Sequence, residues 1–362
     1  MKKLVGPTSV KTASIAFGLL VTIIITKKYE LAGFGQYSEF TKTYLLISAL
    51  GLMGYPDYIA VNAPSKVNLL EFVIRALITT LLVILFLAIT NRIDVRIIFA
   101  TFINTLNILI SSYYYNKKQY YFAIILENSI VQIFVFMGIL IIPRINPISI
   151  HFMSLLLVFI IGIISIYNNL EIKATKISFS YLRSFGINNA SETVRISSIT
   201  LLPSFFLSDA RFGEFSLLYR ISHIGGFLNM LLKKYGLSGF QYKKFQTNWV
   251  SRVSSLILIQ IVGITLLPFL INLLYGFTLN IESQITLSIL FNCWIIGVVS
   301  EHRRSTKVKN EDYKYTLWSG ILSVTFALTL SLVLSFWTSI FMASVMYLIY
   351  MLIEYVIRAK KR

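Results

Sequence analysis

Long apolar segments alternate with short polar segments along the whole chain. A hydrocarbon core about 30 Å thick needs roughly 20 helical residues to cross it, and many of the apolar segments have that length. The pattern predicts an all-α integral membrane protein with about twelve transmembrane helices. The predicted spans are, in chain order, 10–26, 40–60, 69–90, 96–115, 120–142, 148–169, 183–207, 213–233, 253–275, 283–300, 315–335 and 337–357.

A mixed apolar and basic stretch at 170–182 lies in the middle of this series. Its composition is typical of an amphipathic segment on a membrane surface, and we predict a cytoplasmic linker there. It separates an N-terminal lobe of six helices at 1–169 from a C-terminal lobe of six helices at 183–362. The other polar segments are short, which favours a protein whose function is carried out inside the helix bundle.

Two short segments, at 34–38 and 212–216, read Phe-Gly-Gln-Tyr-Ser and Phe-Gly-Glu-Phe-Ser. They are separated by about half the chain and occupy the same place in each half. This agreement favours an internal duplication over the alternative, a chance match of five residues. Two halves that both start on the cytoplasmic side would be parallel repeats around a central cavity, and that architecture suits alternating access.

The charge distribution supports a membrane protein. Charged residues make up 13% of the chain, whereas soluble domains have about 25%. The net charge of +18 would suit a nucleic-acid-binding protein, but Lys and Arg cluster in the short segments that a cytoplasmic N-terminus places inside. The bias predicts both termini in the cytoplasm and contact with membrane lipids, with no nucleic-acid partner.

The residues that commonly bind metals are few and scattered. Cys293 is the only cysteine, and the three histidines, His151, His223 and His302, are far apart in the sequence. No metal site and no cofactor are therefore predicted. The sequence also has no Walker-type phosphate loop, so transport would draw on a proton or sodium gradient.

Three segments resemble polysaccharide flippases. Tyr-Glu-Leu-Ala-Gly-Phe-Gly-Gln-Tyr at 29–37 resembles the signature after their first helix, and Gly-Leu-Met-Gly-Tyr-Pro-Asp at 51–57 resembles the end of their second helix. Asp-Ala-Arg-Phe-Gly-Glu-Phe at 209–215 resembles the element that opens their eighth helix. The chain is thus similar to O-antigen repeat-unit flippases, within the superfamily of multidrug, oligosaccharidyl-lipid and polysaccharide exporters.

The resemblance implies a transporter, not an enzyme, built from two six-helix bundles around a central cavity. It implies translocation of an undecaprenyl-diphosphate-linked oligosaccharide, an O-antigen or capsule repeat unit, across the bacterial inner membrane. The implied partners are the lipid-linked oligosaccharide itself, a polysaccharide polymerase and chain-length proteins.

Ionisable residues within the predicted spans are the candidate substrate-binding groups, because charge is costly inside a bilayer. Arg195 lies near the middle of span seven, one turn after Glu192, and Arg220 lies in span eight, one turn before His223. Together these cations would bind diphosphate, since guanidinium groups engage phosphate oxygens bidentately. The alternative is a Glu192–Arg195 ion pair that only locks the helices.

Further candidates lie nearer the ends of other spans. Arg75, four residues after Glu71, would capture the diphosphate from the inner leaflet or extend toward the inner headgroups. Lys42 is predicted to be an interfacial anchor or to assist release of the headgroup outside. Glu127, in span five, would carry a coupling proton or be a neutral core residue.

Three other functions are open at this level. A multidrug or organic-cation antiporter of the same fold would need unpaired carboxylates in its spans, whereas this chain has more deep arginines. A peptidoglycan-precursor lipid flippase would use the same cationic cavity. A membrane enzyme, such as a polymerase or an acyltransferase, would need a large outer loop or a histidine-containing catalytic set, and only His151 is predicted near an outer edge.

Overall fold

The structure, a computed structural model, describes most of the chain and is almost entirely helical over that part. The predicted all-α class is therefore confirmed for these residues. The described residues are 2–52, 55–56, 59, 67–90, 94–126, 130–142, 145–172, 200–222, 264–309, 325, 329 and 339–359.

The first helix, α1, runs from Lys2 to Leu52 and is interrupted at Glu30, whose φ of 61° and ψ of −177° are not helical. The sequence placed residues 27–39 between two spans, but they are helical on both sides of Glu30. Burial explains the difference: Phe34 and Tyr37 are each 1% exposed, so this segment has an apolar face to pack.

Helices α2 (Leu69–Thr90) and α3 (Val95–Asn116) coincide with predicted spans three and four to within one residue at each end. Asp94 caps α3, because its carboxylate accepts a hydrogen bond from the Arg96 amide at 2.9 Å. The helix ends at Asn116 and is capped by Lys117, and the next residue, Lys118, has a left-handed φ of 60°. Local capping therefore sets both ends of α3.

Helices α4 (Tyr120–Ile124) and α5 (Ile130–Ile141) occupy predicted span five. Helix α6 (Pro147–Ile166) occupies span six and continues as a 3-10 turn to Asn169. Its start is fixed by Asn146, which accepts from the Ile148 amide at 2.8 Å, and by proline in the first turn.

In the second half, the described helices are α7 (Asp209–Ser222), α8 (Ile264–Tyr275), α9 (Ile281–Lys309) and α10 (Ile340–Ala359). Helix α9 continues nine residues past the predicted end of span ten at 300. A 3-10 turn at Leu202–Phe205 precedes α7. Residues 183–199 of predicted span seven and nearly all of span eleven lie outside the described residues.

A pair of two-residue strands was not predicted. Strand β1 (Val67–Asn68) pairs in parallel with β2 (Leu170–Glu171), which is the start of the predicted linker at 170–182. The side-chain oxygen of Asn68 also accepts from the Glu71 amide at 3.2 Å and so caps α2. The rest of the linker, from residue 173, lies outside the described residues.

Three of the described helices are long and apolar enough to cross a membrane. These are Leu69–Phe86 within α2, Val95–Asn116, and Pro147–Asn169. Shorter apolar helices occur at Ile130–Ile141, Ile264–Tyr275, Ile281–Ile296 and Ile340–Ile353. The described part of the chain is thus a helical protein with segments suited to a bilayer.

The chain divides into two compact units. The first comprises Met1–Ile25 with Gln36–Leu201, and the second comprises Thr26–Gly35 with Leu202–Arg362. A segment from the N-terminal half, around the interruption in α1, therefore belongs to the second unit. Phe34 and Gly35 of the first repeat copy therefore lie in the same unit as the whole second copy, at 212–216.

Candidate functional site

The two glycines of the sequence repeat, Gly35 and Gly213, pack directly against each other in the second unit. A Cβ atom on Gly35 would overlap the carbonyl oxygen of Asp209 and lie 3.1 Å from the Gly213 nitrogen. A Cβ atom on Gly213 would overlap the carbonyl oxygen of Leu31 and lie 3.0 Å from the Gly35 nitrogen. Only glycine allows two helix backbones to approach this closely.

This contact is reciprocal. Each glycine lies against the carbonyl group four residues before the other glycine, which is the relation expected of two copies of one motif. The flanking aromatic residues also match, since Phe34 and Phe212 are each 1% exposed. The contact is therefore nearly symmetric between the two segments, and the internal duplication stays a prediction.

Arg220 lies beside this glycine contact. Its guanidinium carbon is 5.9 Å from the centre of the Phe34 ring, within the range of a cation–π interaction. Arg220 also interacts electrostatically with Tyr275 at the end of α8. The guanidinium group thus lies against the Phe34 ring, and the residue is only partly buried.

Three helix starts in the second unit share a charged network. Arg211 Nη1 lies 3.2 Å from Glu214 Oε2 and 3.4 Å from Glu282 Oε2. Ser283 donates to the other oxygen of Glu214, and Ser339 donates to Glu282 Oε1 at 2.7 Å. One arginine thus pairs with a carboxylate on α7 and another on α9, and Ser339 links the start of α10 to them. Negative charge is favourable near a helix N-terminus.

Glu282 precedes the predicted span at 283–300, and its acidity is set by opposing effects. Burial raises the pKa of its carboxyl group. Hydrogen bonds from Ser339 and the Phe341 amide, together with the charge of Arg211, lower the pKa by more than burial raises it. The net result is a pKa below the ordinary value. The ionised form of Glu282 is therefore the form that holds α9 and α10 together.

In the first unit, Arg75 and Glu71 form a buried ion pair. Arg75 Nε donates to Glu71 Oε1 at 2.9 Å, and both residues are 4% exposed. The Arg75 guanidinium carbon also lies 5.0 Å from the centre of the Tyr55 ring. The structure thus brings these two predicted residues together as partners, with the arginine facing protein groups.

Lys42 contacts the backbone at the end of predicted span seven. Its Nζ donates to the carbonyl oxygen of Thr200 at 3.1 Å. Pro203 follows in the 3-10 turn and has no N–H, so the regular pattern of helix hydrogen bonds ends here. A lysine on a terminal carbonyl is a favourable cap for a helix C-terminus.

His151 forms a cluster in the first unit that the sequence analysis missed. Its Nδ1 lies 2.8 Å from the Tyr37 hydroxyl and its Nε2 lies 2.7 Å from the Tyr44 hydroxyl. Tyr37 and Tyr44 are seven residues apart and share one face of α1. That spacing was the available signal, but nothing local in the sequence pointed to a histidine 107 residues away from Tyr44.

Four predicted site residues lie outside the described residues: Arg195, Glu192, His223 and Glu127. The candidate site that remains is Arg220 at the glycine contact. Neither a model of a known protein family nor a curated protein sequence matches this chain.

Proposed function

We propose that this chain is a flippase for lipid-linked oligosaccharide. It would consist of about twelve spans in two six-helix bundles and reside in the bacterial inner membrane with both termini in the cytoplasm. Its substrate would be an undecaprenyl-diphosphate-linked O-antigen or capsule repeat unit, which it would move to the outer leaflet by alternating access.

The reciprocal Gly35–Gly213 contact is the observation that carries this proposal. Two copies of one motif in contact favour two duplicated halves, and transporters of the alternating-access type are commonly built from such repeats. The three membrane-length helices and the resemblance at 29–37, 51–57 and 209–215 support the same class of protein.

Arg220 supports an anionic substrate. The Phe34 ring orients the guanidinium group, and guanidinium groups keep their charge and bind phosphate oxygens bidentately. Arg195 is the second proposed diphosphate ligand, because its sequence position is near the middle of predicted span seven. The polyprenyl chain would remain in the lipid while the charged headgroup passes through the protein.

The alternative of an organic-cation antiporter is less favoured. Such an exporter needs carboxylates available to a cation within its spans. Among the described residues, the buried acids Glu71 and Glu214 are both engaged by arginines, at 2.9 and 3.2 Å. A peptidoglycan-precursor flippase is the closer alternative, because its substrate carries the same diphosphate.

The test is translocation of a fluorescent polyprenyl-diphosphate oligosaccharide in proteoliposomes. We expect flipping by the native protein, a loss of about 10- to 100-fold in Arg195→Ala and Arg220→Ala, and a smaller loss in Arg220→Lys. Arg96→Gln, which changes a partly exposed arginine paired with Asp94, is the matched control and should flip normally.

Two results would contradict the proposal. The first is a native protein that does not flip this lipid but exports organic cations against a proton gradient. The second is an Arg220→Ala variant that flips the lipid as fast as Arg96→Gln. Preference for a peptidoglycan precursor over the oligosaccharide lipid would replace the substrate while keeping the diphosphate site.

A further inference from the structure

The imidazole of His151 is enclosed by the first unit and hydrogen-bonded on both sides. His151, Tyr37 and Tyr44 are 1%, 1% and 2% exposed. The Phe40 ring lies edge-on to the imidazole, with 6.0 Å between the ring centres. The histidine therefore lies among aromatic rings, with a tyrosine hydroxyl on each nitrogen.

The two hydroxyl groups restrict the hydrogen-bonding state of this cluster. In a neutral imidazole one nitrogen donates and the other accepts, so one tyrosine accepts and the other donates. A second proton turns the accepting nitrogen into a donor. The tyrosine that had donated to it must then turn its O–H toward a different acceptor.

A polar seam adjoins the cluster where α3 meets its neighbours. Ser48, one turn after Tyr44, donates to the Thr101 carbonyl at 3.2 Å. Asn107 donates to the carbonyl of Leu155, one turn after His151, at 3.5 Å. Residues on α1, α3 and α6 thus share polar contacts next to the imidazole.

Asn104 lies between these two contacts on α3. It is 0% exposed, and neither its amide nitrogen nor its amide oxygen has a hydrogen-bond partner among the described residues. An unsatisfied buried amide is costly and is uncommon without a functional reason. The seam therefore holds hydrogen-bonding capacity that no described residue uses.

Among the described residues, the ionisable groups on the helices packed against His151 lie on α1 and α3. On α1 these are Tyr37 and Tyr44, in direct contact, with Glu39 and Lys42 on other faces of the helix. On α3 the nearest end carries Arg96, which is paired with Asp94 at 2.9 Å. The described residues of α5 and the rest of α6 carry no ionisable side chain.

We propose that His151 is the proton-binding site that couples transport to a proton gradient. The incoming proton forms an N–H bond at the ring nitrogen that accepts from tyrosine, and the same bond breaks on release. Because this turns a tyrosine hydroxyl at the contact between α1 and α6, proton binding changes how those helices hold together. The assignment rests on the proposed transport function.

Histidine NMR on the full-length protein in lipid bilayers tests the site without any substrate. The chain has three histidines, and the resonance missing in His151→Gln identifies His151. We expect that resonance to move from neutral to protonated between pH 8 and about 5, and its titration to shift in Tyr44→Phe. A His151 resonance that stays neutral throughout this range would overturn the proposal.

Gradient-driven flipping of the fluorescent lipid tests the coupling. With one proton per cycle, a gradient of one pH unit supports a ratio of about ten between the leaflets. We expect the native protein and the control His302→Gln to build that ratio, and His151→Gln to equilibrate the lipid to a ratio near one. A His151→Gln variant that still builds the ratio would overturn the assignment.

The NMR titration and the gradient-driven flipping assay test the proton site and the flippase function separately. Titration of His151 without any flipping of this lipid would contradict the proposed substrate and support the proton site. Flipping that responds to the gradient in both native protein and His151→Gln would support the flippase and contradict the site.

Discussion

At the scale of single residues, Arg75, which is buried, and Lys42, which is half-buried, both contact nearby protein groups. Arg75 is held by Glu71 and the Tyr55 ring, and Lys42 caps the carbonyl of Thr200. Sequence position suggested that Arg75 would capture the diphosphate or extend toward the inner headgroups. It suggested that Lys42 would be an interfacial anchor or assist release of the headgroup. The structure gives both of them specific contacts that stabilise helices, so their substitution is expected to affect stability.

Removing one partner of the Glu71–Arg75 pair should be strongly destabilising, because it leaves a buried charge uncompensated. We expect Glu71→Leu or Arg75→Met to cost about 3–5 kcal/mol, measured by thermal unfolding in detergent. The double variant Glu71→Leu/Arg75→Met should recover most of that loss. Arg96→Met removes a partly exposed pair and should cost less than about 1 kcal/mol. Equal losses in the single and double variants would contradict this account.

At the scale of helices, two features hold the second unit together in the described residues. One is the close approach of backbones at Gly35 and Gly213, which depends on shape. The other is the network of Arg211, Glu214 and Glu282 at the starts of three helices, which depends on charge. Steric and electrostatic contributions can therefore be tested separately.

Adding one methyl group at either glycine should destabilise the protein. Gly35→Ala and Gly213→Ala each place a Cβ on a backbone carbonyl that cannot move aside easily, at a cost of about 1–3 kcal/mol or more. Because both changes open the same contact, the double variant should cost less than the sum. In the control Gly162→Ala, the new Cβ meets a flexible Ile110 methyl at 3.2 Å, so thermal unfolding should change little.

The charged network predicts a loss of stability in acid. The pKa of Glu282 is lowered in the folded protein, so its ionised form adds stability above the unfolded-state pKa. That contribution declines from about pH 5 and is lost once the pH falls through the folded-state pKa. Thermal unfolding from pH 7 to pH 3 should show a steeper decline for native protein than for Glu282→Gln. Parallel curves would show that the carboxylate contributes nothing.

At the scale of the whole chain, sequence periodicity predicted the helices of the described first half well. Spans 69–90 and 96–115 are helices with almost the same ends, because apolar length and the cap at Asp94 are local properties. The helical run through residues 27–39 was missed, because its burial depends on partners distant in sequence. The same reason hid His151, whose two tyrosines come from another helix.

The predicted membrane topology can be checked by labelling with a membrane-impermeant thiol reagent. Cys293 is buried, so single cysteines can be added with little background. We expect Ile145→Cys, before α6, to be labelled from outside intact cells, and Lys117→Cys, after α3, only after permeabilisation. The opposite pattern would invert the predicted orientation, and labelling of both from outside would contradict a span between them.

The contact between Gly35 and Gly213 also sets an order of events during synthesis. Residues 31–35 leave the ribosome long before residues 209–213, with about half of the chain translated in between. At about 5–20 residues per second, that interval is on the order of 10 to 40 s. During this time the nascent first half lacks the α7 surface that later covers Gly35. We therefore expect newly made chains to be more accessible to proteases around Gly35 before α7 emerges.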